Sequence, residues 1–286
     1  MVNNNKNITL RILGGAGNQL FLFSFLVYLE KKYKLKVHID YKSGYQNFLG
    51  GNTFQQKFLL NKLNYNFFYQ KDRYCFLGFF GKIKRFFYKN FSIFSKLSNT
   101  QYLVENHHSD IVAEIKKHKK KNIYIEGYFQ DIKYVKFSDF YVKNIIYSVK
   151  QYASLKKNYS NVDNILCVLF SNYNYRDSDN KIYLDRLKNL ITQNKNFNTF
   201  VVFSAKDPFF LKKISSIKKY KFFKPNNKID SLKNIILMSN FKNYLIDNST
   251  YHWWGSWLSE NSKKIIFIPN DFNSKIIYRN CKSSFE

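Results

Sequence analysis

The feature that most constrains the fold is an alternation of apolar runs around a glycine-rich turn near the N-terminus. Residues 8–13 form an apolar strand pattern, the turn spans residues 14–19, a helical pattern covers 20–33, and a second strand covers 36–41. This strand, glycine turn, helix and strand form the opening unit of a parallel α/β sheet. The turn lacks the spacing of the dinucleotide fingerprint and has only Asp40 as a possible acidic partner. We therefore interpret it as a tight structural turn.

A second α/β pattern begins after a helix and linker at 144–159, and the two patterns are joined near residue 155. Apolar strands are predicted at 123–130 in the first half and at 165–170, 200–204, 244–247 and 264–268 in the second, with helices at 182–191, 209–217 and 229–238. Two successive α/β sheets describe a protein of two lobes with a cleft between them. Ligands of such folds bind at the carboxyl ends of the strands.

The net charge of +28 over 286 residues has several interpretations. Clustered lysines bind phosphate, so nucleic acid or an anionic membrane are the partners to consider. The lysines are spread along the chain, however, and the wealth of Lys, Asn, Ile, Phe and Tyr is what an A+T-rich genome imposes on any protein. The chain contains no nucleic-acid-binding motif, so no nucleic-acid partner is predicted.

The cysteines and the first apolar run indicate the compartment. Cys75, Cys167 and Cys281 are far apart and form no disulfide framework, which favours a reducing environment. The apolar run at 20–29 is too short to span a bilayer, and Glu30-Lys31-Lys32 follows where a signal peptide would have its cleavage site. We expect a cytoplasmic protein, with the inner face of the membrane as a place of peripheral contact.

Residues 76–97 are basic and aromatic. Apolar residues recur there at a spacing of three and four, with lysines and Arg85 between them. Such a helix can lie in a membrane interface. Alternatively, its apolar face packs on the first domain.

The segment 247–258 holds all three tryptophans, packed around Gly255. Indole and phenol rings are flat surfaces on which sugars and bases stack. A glycine beside them suggests that another group approaches the backbone closely. The alternative is an aromatic core cluster, in which Trp253 or Trp254 supports the loop from behind.

Several short motifs occur in the order and spacing of a known family. They are Gly14-Gly15-x-Gly17-Asn18-Gln19, Glu126-Gly127-Tyr128-Phe129-Gln130, Phe203-Ser204, Leu237-Met238-Ser239, Asn248-Ser249 and Trp253-Trp254-Gly255-x-Trp257-Leu258. Together they resemble the bacterial α-1,2-fucosyltransferases, glycosyltransferase family 11. The resemblance covers nearly the whole chain and is weakest at 45–120.

This resemblance implies an α/β, GT-B-like fold of two Rossmann-type lobes with a cleft between them. Residues 1–155 would be the acceptor-side lobe, and 156–286 the lobe that binds the nucleotide sugar. The implied reaction is transfer of L-fucose or a related deoxyhexose, such as colitose, from a GDP-sugar to a galactose-containing glycan with inversion. The acceptor would be an oligosaccharide or a lipid-linked glycan of O-antigen, lipopolysaccharide or capsule synthesis. No cofactor and no metal are expected.

One motif departs from the family. Where the family has H-x-R-R-G-D-Y, this chain has Leu169 for the histidine, Ser171 and Asn172 for the arginines, and Asn174 for the aspartate, and only Tyr175 is kept. Without a metal, cations of the protein must stabilise the leaving diphosphate, and losing one such contact typically costs about 3–4 kcal/mol in the transition state. The alternative function is therefore a catalytically impaired homologue that acts as a glycan-binding or scaffolding protein.

The predicted site residues follow from these motifs and their chemistry. Asp247 and His252 are the catalytic candidates, suited to act as the general base. The donor-binding candidates are Tyr175, Arg176, Ser204, Lys206, Asn248, Ser249 and Thr250. On the acceptor side we expect Gly15, Gly17, Asn18, Gln19, Tyr128 and Gln130. Asp177-Ser178-Asp179 has the form of a metal-binding D-x-D motif, but it lies in a polar run and is interpreted as the N-terminus of a helix.

Overall fold

The chain divides into two compact units, Met1–Ser148 and Val149–Glu286. The structure is a computed structural model that describes residues 6–45, 57–106, 110–155, 162–170, 199–204, 221–223, 231–247 and 249–267, together with Asp185, Asn189 and Phe197. Each unit is built on its own sheet of five strands. No helix among these residues is long and apolar enough to cross a lipid bilayer.

The sheet of the first unit is parallel throughout, in the strand order β3-β2-β1-β5-β4. Its strands are β1 Asn7–Arg11, β2 Val37–Asp40, β3 Phe68–Tyr69, β4 Thr100–Val104 and β5 Asn122–Glu126. The central strands are almost fully buried, because helices or loops must cover both faces of a parallel sheet. All carboxyl ends of the strands lie along one edge, and the glycine turn follows β1 at that edge.

Among the described residues up to 155, the α-helices are α1 Ala16–Tyr33, α2 Gly78–Asn90, α3 Ser92–Leu97, α4 Ile111–Lys117, α5 Ile132–Ser148 and α6 Lys150–Ala153. α6 falls in the second unit. α1 is apolar almost all round and is buried from Ala16 to Leu29 except at Asn18. It packs beside α5 through aromatic rings, with Phe25 stacked on Phe129 at 3.9 Å between centroids and Tyr134 edge-on to Phe25.

The sheet of the second unit is also parallel, in the order β10-β9-β6-β7-β8. Its strands are β6 Ile165–Phe170, β7 Thr199–Ser204, β8 Lys221–Phe223, β9 Asn243–Ile246 and β10 Ile265–Phe267. Two further helices are α7 Ser231–Met238 and α8 Thr250–Trp257, and Asp185 and Asn189 are helical as well. The β6 sequence ILCVLF is a continuous apolar run, as expected of a strand buried on both faces.

Most predicted elements are present, and several differ in extent. The strand predicted at 123–130 ends at Glu126, and the helix pattern of 76–97 is two helices, α2 and α3, separated at Phe91. α1 begins at Ala16, so the glycine turn runs directly into the helix. α5 begins at Ile132, well before the predicted 144, because its buried residues recur at helical spacing from Tyr134 onward. The tryptophan segment is the helix α8 and not a loop. The predicted helix at 209–217 lies outside the described residues.

Candidate functional site

Asp247 and His252 form a buried pair at the carboxyl edge of the second sheet. Nδ1 of His252 lies 2.5 Å from Oδ1 of Asp247. Asp247 directly follows β9, and its backbone N–H donates to the carbonyl of Leu169 in β6 at 3.2 Å. His252 lies in the first turn of α8, and both side chains are buried. A carboxylate only accepts, so Nδ1 is the donor; in the neutral tautomer that carries this proton, the lone pair is on Nε2.

Trp253 and Trp254 pack inside the second unit and not on an open surface. Trp253 and Trp254 are fully buried, edge-on to each other at 5.2 Å, and Trp253 stacks on Trp257 at 4.9 Å. The supporting role favoured for Trp253 or Trp254 is confirmed for both. The expectation that another group approaches the backbone closely at Gly255 is confirmed, and that group is the side chain of Met238 in α7: a Cβ at Gly255 would lie 2.7 Å from its Sδ.

The remaining donor-side candidates are described only in part. Ser249 and Thr250 are half-buried where α8 begins, on the chain between Asp247 and His252. Ser204 is the last residue of β7, which places its backbone at the same carboxyl edge as Asp247. Tyr175, Arg176, Lys206 and Asn248 lie outside the described residues, as do Asp177-Ser178-Asp179.

In the first unit, the glycine turn is held by its own side chains. Gly14 has a φ of 83°, and a Cβ there would lie 2.7 Å from Nδ2 of Asn18. Gln19 is fully buried: its Nε2 donates to the carbonyls of Gly14 and Lys57, and its Oε1 accepts from the N–H of Leu59. The contacts of Gln19 are therefore structural, and its role in acceptor binding stays a prediction.

The other acceptor-side candidates meet beside this turn. Nε2 of Gln130 donates to Oδ1 of Asn18 at 2.8 Å, which joins the segment after β5 to the start of α1. Tyr128 is 41% exposed at the same edge. Gly15 is half-buried and Gly17 is buried. The structure thus brings Asn18 and Gln130 together and leaves the ring of Tyr128 open to solvent.

Glu105 fixes the backbone under Tyr128. Its Oε2 accepts from the N–H groups of Tyr128 and Phe129 at 2.7 and 2.9 Å. The carboxylate lies so close to Gly127 that a Cβ there would be 2.3 Å from Cβ of Glu105. Phe129 has a φ of 49°, in the left-handed region, and its stacking on Phe25 holds it there. The segment that carries Tyr128 and Gln130 is therefore rigidly placed.

Sequence reasoning missed a buried cluster of charges around Glu126, the last residue of β5. Arg85 donates to both carboxylate oxygens at 2.9 and 2.8 Å, Lys89 lies at 3.2 Å and Arg11 at 3.4 Å. Tyr102 also donates to it. Burial alone would raise the pKa of Glu126, but the Tyr102 hydrogen bond and the cations outweigh it and lower the pKa from 4.5 to about 2. The available signal was a charged residue at the end of an apolar strand.

Asp40 at the end of β2 has a structural role as well. It accepts from the N–H and Oγ of Ser43 at 3.0 and 2.6 Å and from the hydroxyl of Tyr124 at 2.6 Å. Since Asp40 is also buried, its carboxylate is committed to holding the loop after β2. Across the part of the chain that the structure describes, no group of three or more His, Cys, Asp or Glu side chains could hold a metal ion.

Comparison with known proteins shows what these two units are similar to. The Escherichia coli α-1,2-colitosyltransferase is 24% identical over 289 aligned positions, which cover 92% of this chain and 91% of that protein. The chain is a homologue of a bacterial glycosyltransferase. The E. coli O-antigen biosynthesis glycosyltransferase WbnK is 51% identical over 35 residues, a match that spans only 12% of either chain. No model of a protein family matches the sequence.

The fold agrees with this homology. A mutant of Arabidopsis thaliana FUT1 in complex with GDP superposes with a TM-score of 0.53 at 10% identity, covering 92% of this chain and 70% of that one. The α/β, GT-B-like fold class is thereby confirmed. The similarity to the colitosyltransferase over nearly the full chain agrees with the resemblance found in the sequence. Ser171 and Asn172, where this chain departs from the motif of that family, lie outside the described residues.

Proposed function

We propose that this protein is a glycosyltransferase that transfers a deoxyhexose, colitose or L-fucose, from a GDP-sugar to a galactose-containing glycan with inversion. The observation that carries the proposal is the relationship to the colitosyltransferase, which extends over nearly the full length of both chains. The parallel sheet of the second unit, with the Asp247 and His252 pair at its carboxyl edge, fits such a reaction.

The buried pair supplies the proton acceptor of the proposed mechanism. The acceptor hydroxyl attacks the anomeric carbon of the donor, a new C–O bond forms, and the bond to the diphosphate breaks with its electrons leaving on GDP. Nε2 of His252 takes the hydroxyl proton, while Asp247 holds Nδ1 and stabilises the imidazolium that results. Attack from the face opposite the leaving group inverts the configuration.

The leaving diphosphate needs positive charge, and the family arginines are absent at Ser171 and Asn172. We assign the countercharge to Arg176, which follows the altered motif at once, and to Lys206, which follows β7. Tyr175, Ser204, Asn248, Ser249 and Thr250 would complete the donor site. The proposal requires no metal, because cationic side chains can stabilise the departing charge.

The acceptor is assigned to the carboxyl edge of the first unit. There Tyr128 offers an exposed ring for a sugar face, and the amides of Asn18 and Gln130 offer hydrogen-bonding groups beside it. Gly15 is half-buried in the turn, Gly17 is a buried residue at the start of α1, and Gln19 keeps the shape of the turn. An oligosaccharide or lipid-linked glycan of O-antigen, lipopolysaccharide or capsule synthesis is the acceptor that we propose, handled on the cytoplasmic side.

The test is release of GDP from GDP-L-fucose and GDP-colitose in the presence of galactosides, with and without a chelator. We expect transfer with one donor, unchanged by the chelator, and loss of donor binding in Arg176→Ala and Lys206→Ala variants by calorimetry. Turnover that needs a divalent ion would contradict the metal-free mechanism.

The same test separates the rival function. Binding of a galactoside without donor binding or transfer, and without rescue by Ser171→Arg and Asn172→Arg together, would identify a catalytically impaired glycan-binding homologue. A gain in transfer on restoring these arginines would show an active site weakened at the diphosphate alone.

A further inference from the structure

The helices α2 and α3 turn their apolar residues to solvent. Phe80 is 83% exposed and Leu97 is 82% exposed. The other exposed apolar residues of this face are Phe79, Ile83, Phe86, Phe87, Phe91, Ile93 and Phe94. On α2 they fall at a spacing of three and four, so they form one continuous arc of the helix. The alternative interpretation of the sequence, in which this apolar face packs on the first domain, is therefore wrong.

The opposite side of α2 is the one that faces its unit. Arg85 and Lys89, one turn apart, pair with the buried Glu126, and the side chain of Lys89 is 43% exposed. Gly81 lies against the backbone of Phe76, where a Cβ would come within 2.4 Å of the carbonyl carbon. Amphipathic helices of globular proteins normally bury the apolar arc and expose the charges. In α2 that arrangement is reversed, and no residue of the helix is buried.

The surroundings of the apolar arc carry one sign of charge. No acidic residue occurs from Arg73 to Val104, whereas Lys82, Lys84 and Lys96 border the exposed aromatic residues. Beyond the end of α3, Nζ of Lys120 donates to the carbonyls of Lys96 and Ser98, which brings Lys120 to this rim. A contiguous aromatic patch bordered by lysines is complementary to an anionic lipid surface.

We propose that the face formed by α2 and α3 docks on an anionic lipid bilayer. The phenylalanines and Leu97 enter the boundary between headgroups and acyl chains, while the lysines reach the lipid phosphates. The ion pairs of Arg85 and Lys89 with Glu126 hold the opposite side of α2 against the first unit and so keep the apolar arc exposed. This docking is independent of the proposed sugar transfer, because it uses none of the residues assigned to it.

A second copy of the chain fits this face less well than a bilayer does. In a two-fold symmetric dimer the same patch meets itself, so two basic rims would oppose each other. Like charges brought together at an interface are unfavourable, and the segment offers no carboxylate to relieve them. An anionic bilayer offers apolar acyl chains to the aromatic side chains and negatively charged headgroups to the lysines.

The experiment is co-sedimentation of the full chain with vesicles of phosphatidylcholine alone and of phosphatidylcholine with phosphatidylglycerol. We expect binding to the anionic vesicles that weakens as salt is raised, and little binding to the neutral ones. Replacing Phe80 and Leu97 together by serine should lower the partition coefficient by at least about tenfold, and so should Lys84→Glu with Lys96→Glu. These side chains are exposed, so the fold should survive, which circular dichroism checks.

Matched controls lie on α5. Phe140 is 71% exposed and Lys136 is exposed, and Phe140→Ser and Lys136→Glu should bind as the unmodified protein does. Equal binding to neutral and anionic vesicles, no binding to either, or equal loss in the α5 controls would overturn the proposal. Self-association in analytical ultracentrifugation that the Phe80 and Leu97 substitutions abolish would also overturn it and would assign the face to a second copy.

Discussion

Gly255 in α8 faces Met238 in α7 with no room for a side chain of its own. A Cβ at Gly255 would lie 2.7 Å from Sδ and 2.8 Å from Cβ of Met238. The sulfur of Met238 can move by rotation of its side chain, but the Cβ of Met238 moves only with the backbone of α7. The close approach of these two helices is therefore set by a glycine, and α8 is the helix that carries His252.

Gly255→Ala should lower the free energy of unfolding of the second unit by about 1–3 kcal/mol, since overpacking forces neighbouring groups to shift. Urea denaturation followed by circular dichroism measures the change. Combining Gly255→Ala with Met238→Ala removes the clash with the sulfur but not the clash with Cβ. The double variant should therefore lose less free energy of unfolding than the sum of the losses in the two single variants. Strict additivity would argue against this contact as the cause.

Asp247→Asn should lower kcat of sugar transfer by roughly 10²–10⁴, because the imidazole of His252 loses the acceptor that sets its tautomer. His252→Gln should have an effect of the same order. Calorimetric affinity for GDP should change little in either variant, since the pair acts on the acceptor proton. The exposed Lys263 serves as the control, with Lys263→Ala retaining full activity. A large loss of GDP affinity would reassign the pair to the donor site.

Tyr128→Ala should raise KM for the glycan acceptor by at least about tenfold, because base or sugar stacking on an aromatic ring is worth on the order of 1–3 kcal/mol. The ring is largely exposed and the backbone is held by Glu105, so stability should hardly change. Tyr128→Phe keeps the ring and is the matched variant, expected to behave nearly as the unmodified protein. An unchanged KM in Tyr128→Ala would remove this residue from the acceptor site.

Glu126 should make the first unit sensitive to acid. Its folded-state pKa of about 2 lies below the ordinary 4.5, so the ionised carboxylate stabilises the folded unit above pH 4.5, and this stabilisation is lost as the pH falls toward 2. A shift of this size corresponds to about 3 kcal/mol. Glu126→Gln should be destabilised by that order at neutral pH, and the difference from the unmodified protein should disappear near pH 2. A difference that persists unchanged at low pH would point to packing instead of charge.

The order of strands and helices could be predicted where apolar runs are distinct. β6 is an uninterrupted apolar run, and its predicted bounds agree with the structure. The helix α8 could not be predicted, because its sequence TYHWWGSW combines bulky rings with a glycine and has low intrinsic helix propensity. Its packing on α7 provides what the local sequence lacks.

The candidate site was predicted unevenly. The pair Asp247 and His252 was identified from its chemistry and from the nearby motif, and the structure brings both side chains together. A charged residue at the end of an apolar strand was a signal for Glu126 itself, but its partners could not be predicted, because Arg11, Arg85 and Lys89 are distant from it in the sequence. The amphipathic pattern of α2 was visible, but periodicity alone does not say which face meets the core. The ion pair between Arg85 and Glu126 shows that the basic side of α2 faces the first unit.

The placement of every tryptophan of the chain in α8 has a spectroscopic consequence. Light at the red edge of the indole absorption band excites only the second unit, since the first unit contains tyrosine and phenylalanine but no indole. Two of the three rings are fully buried, so their emission should shift to longer wavelength when α8 separates from α7. The protein therefore carries a native fluorescent reporter for one half of its chain and leaves the other half dark.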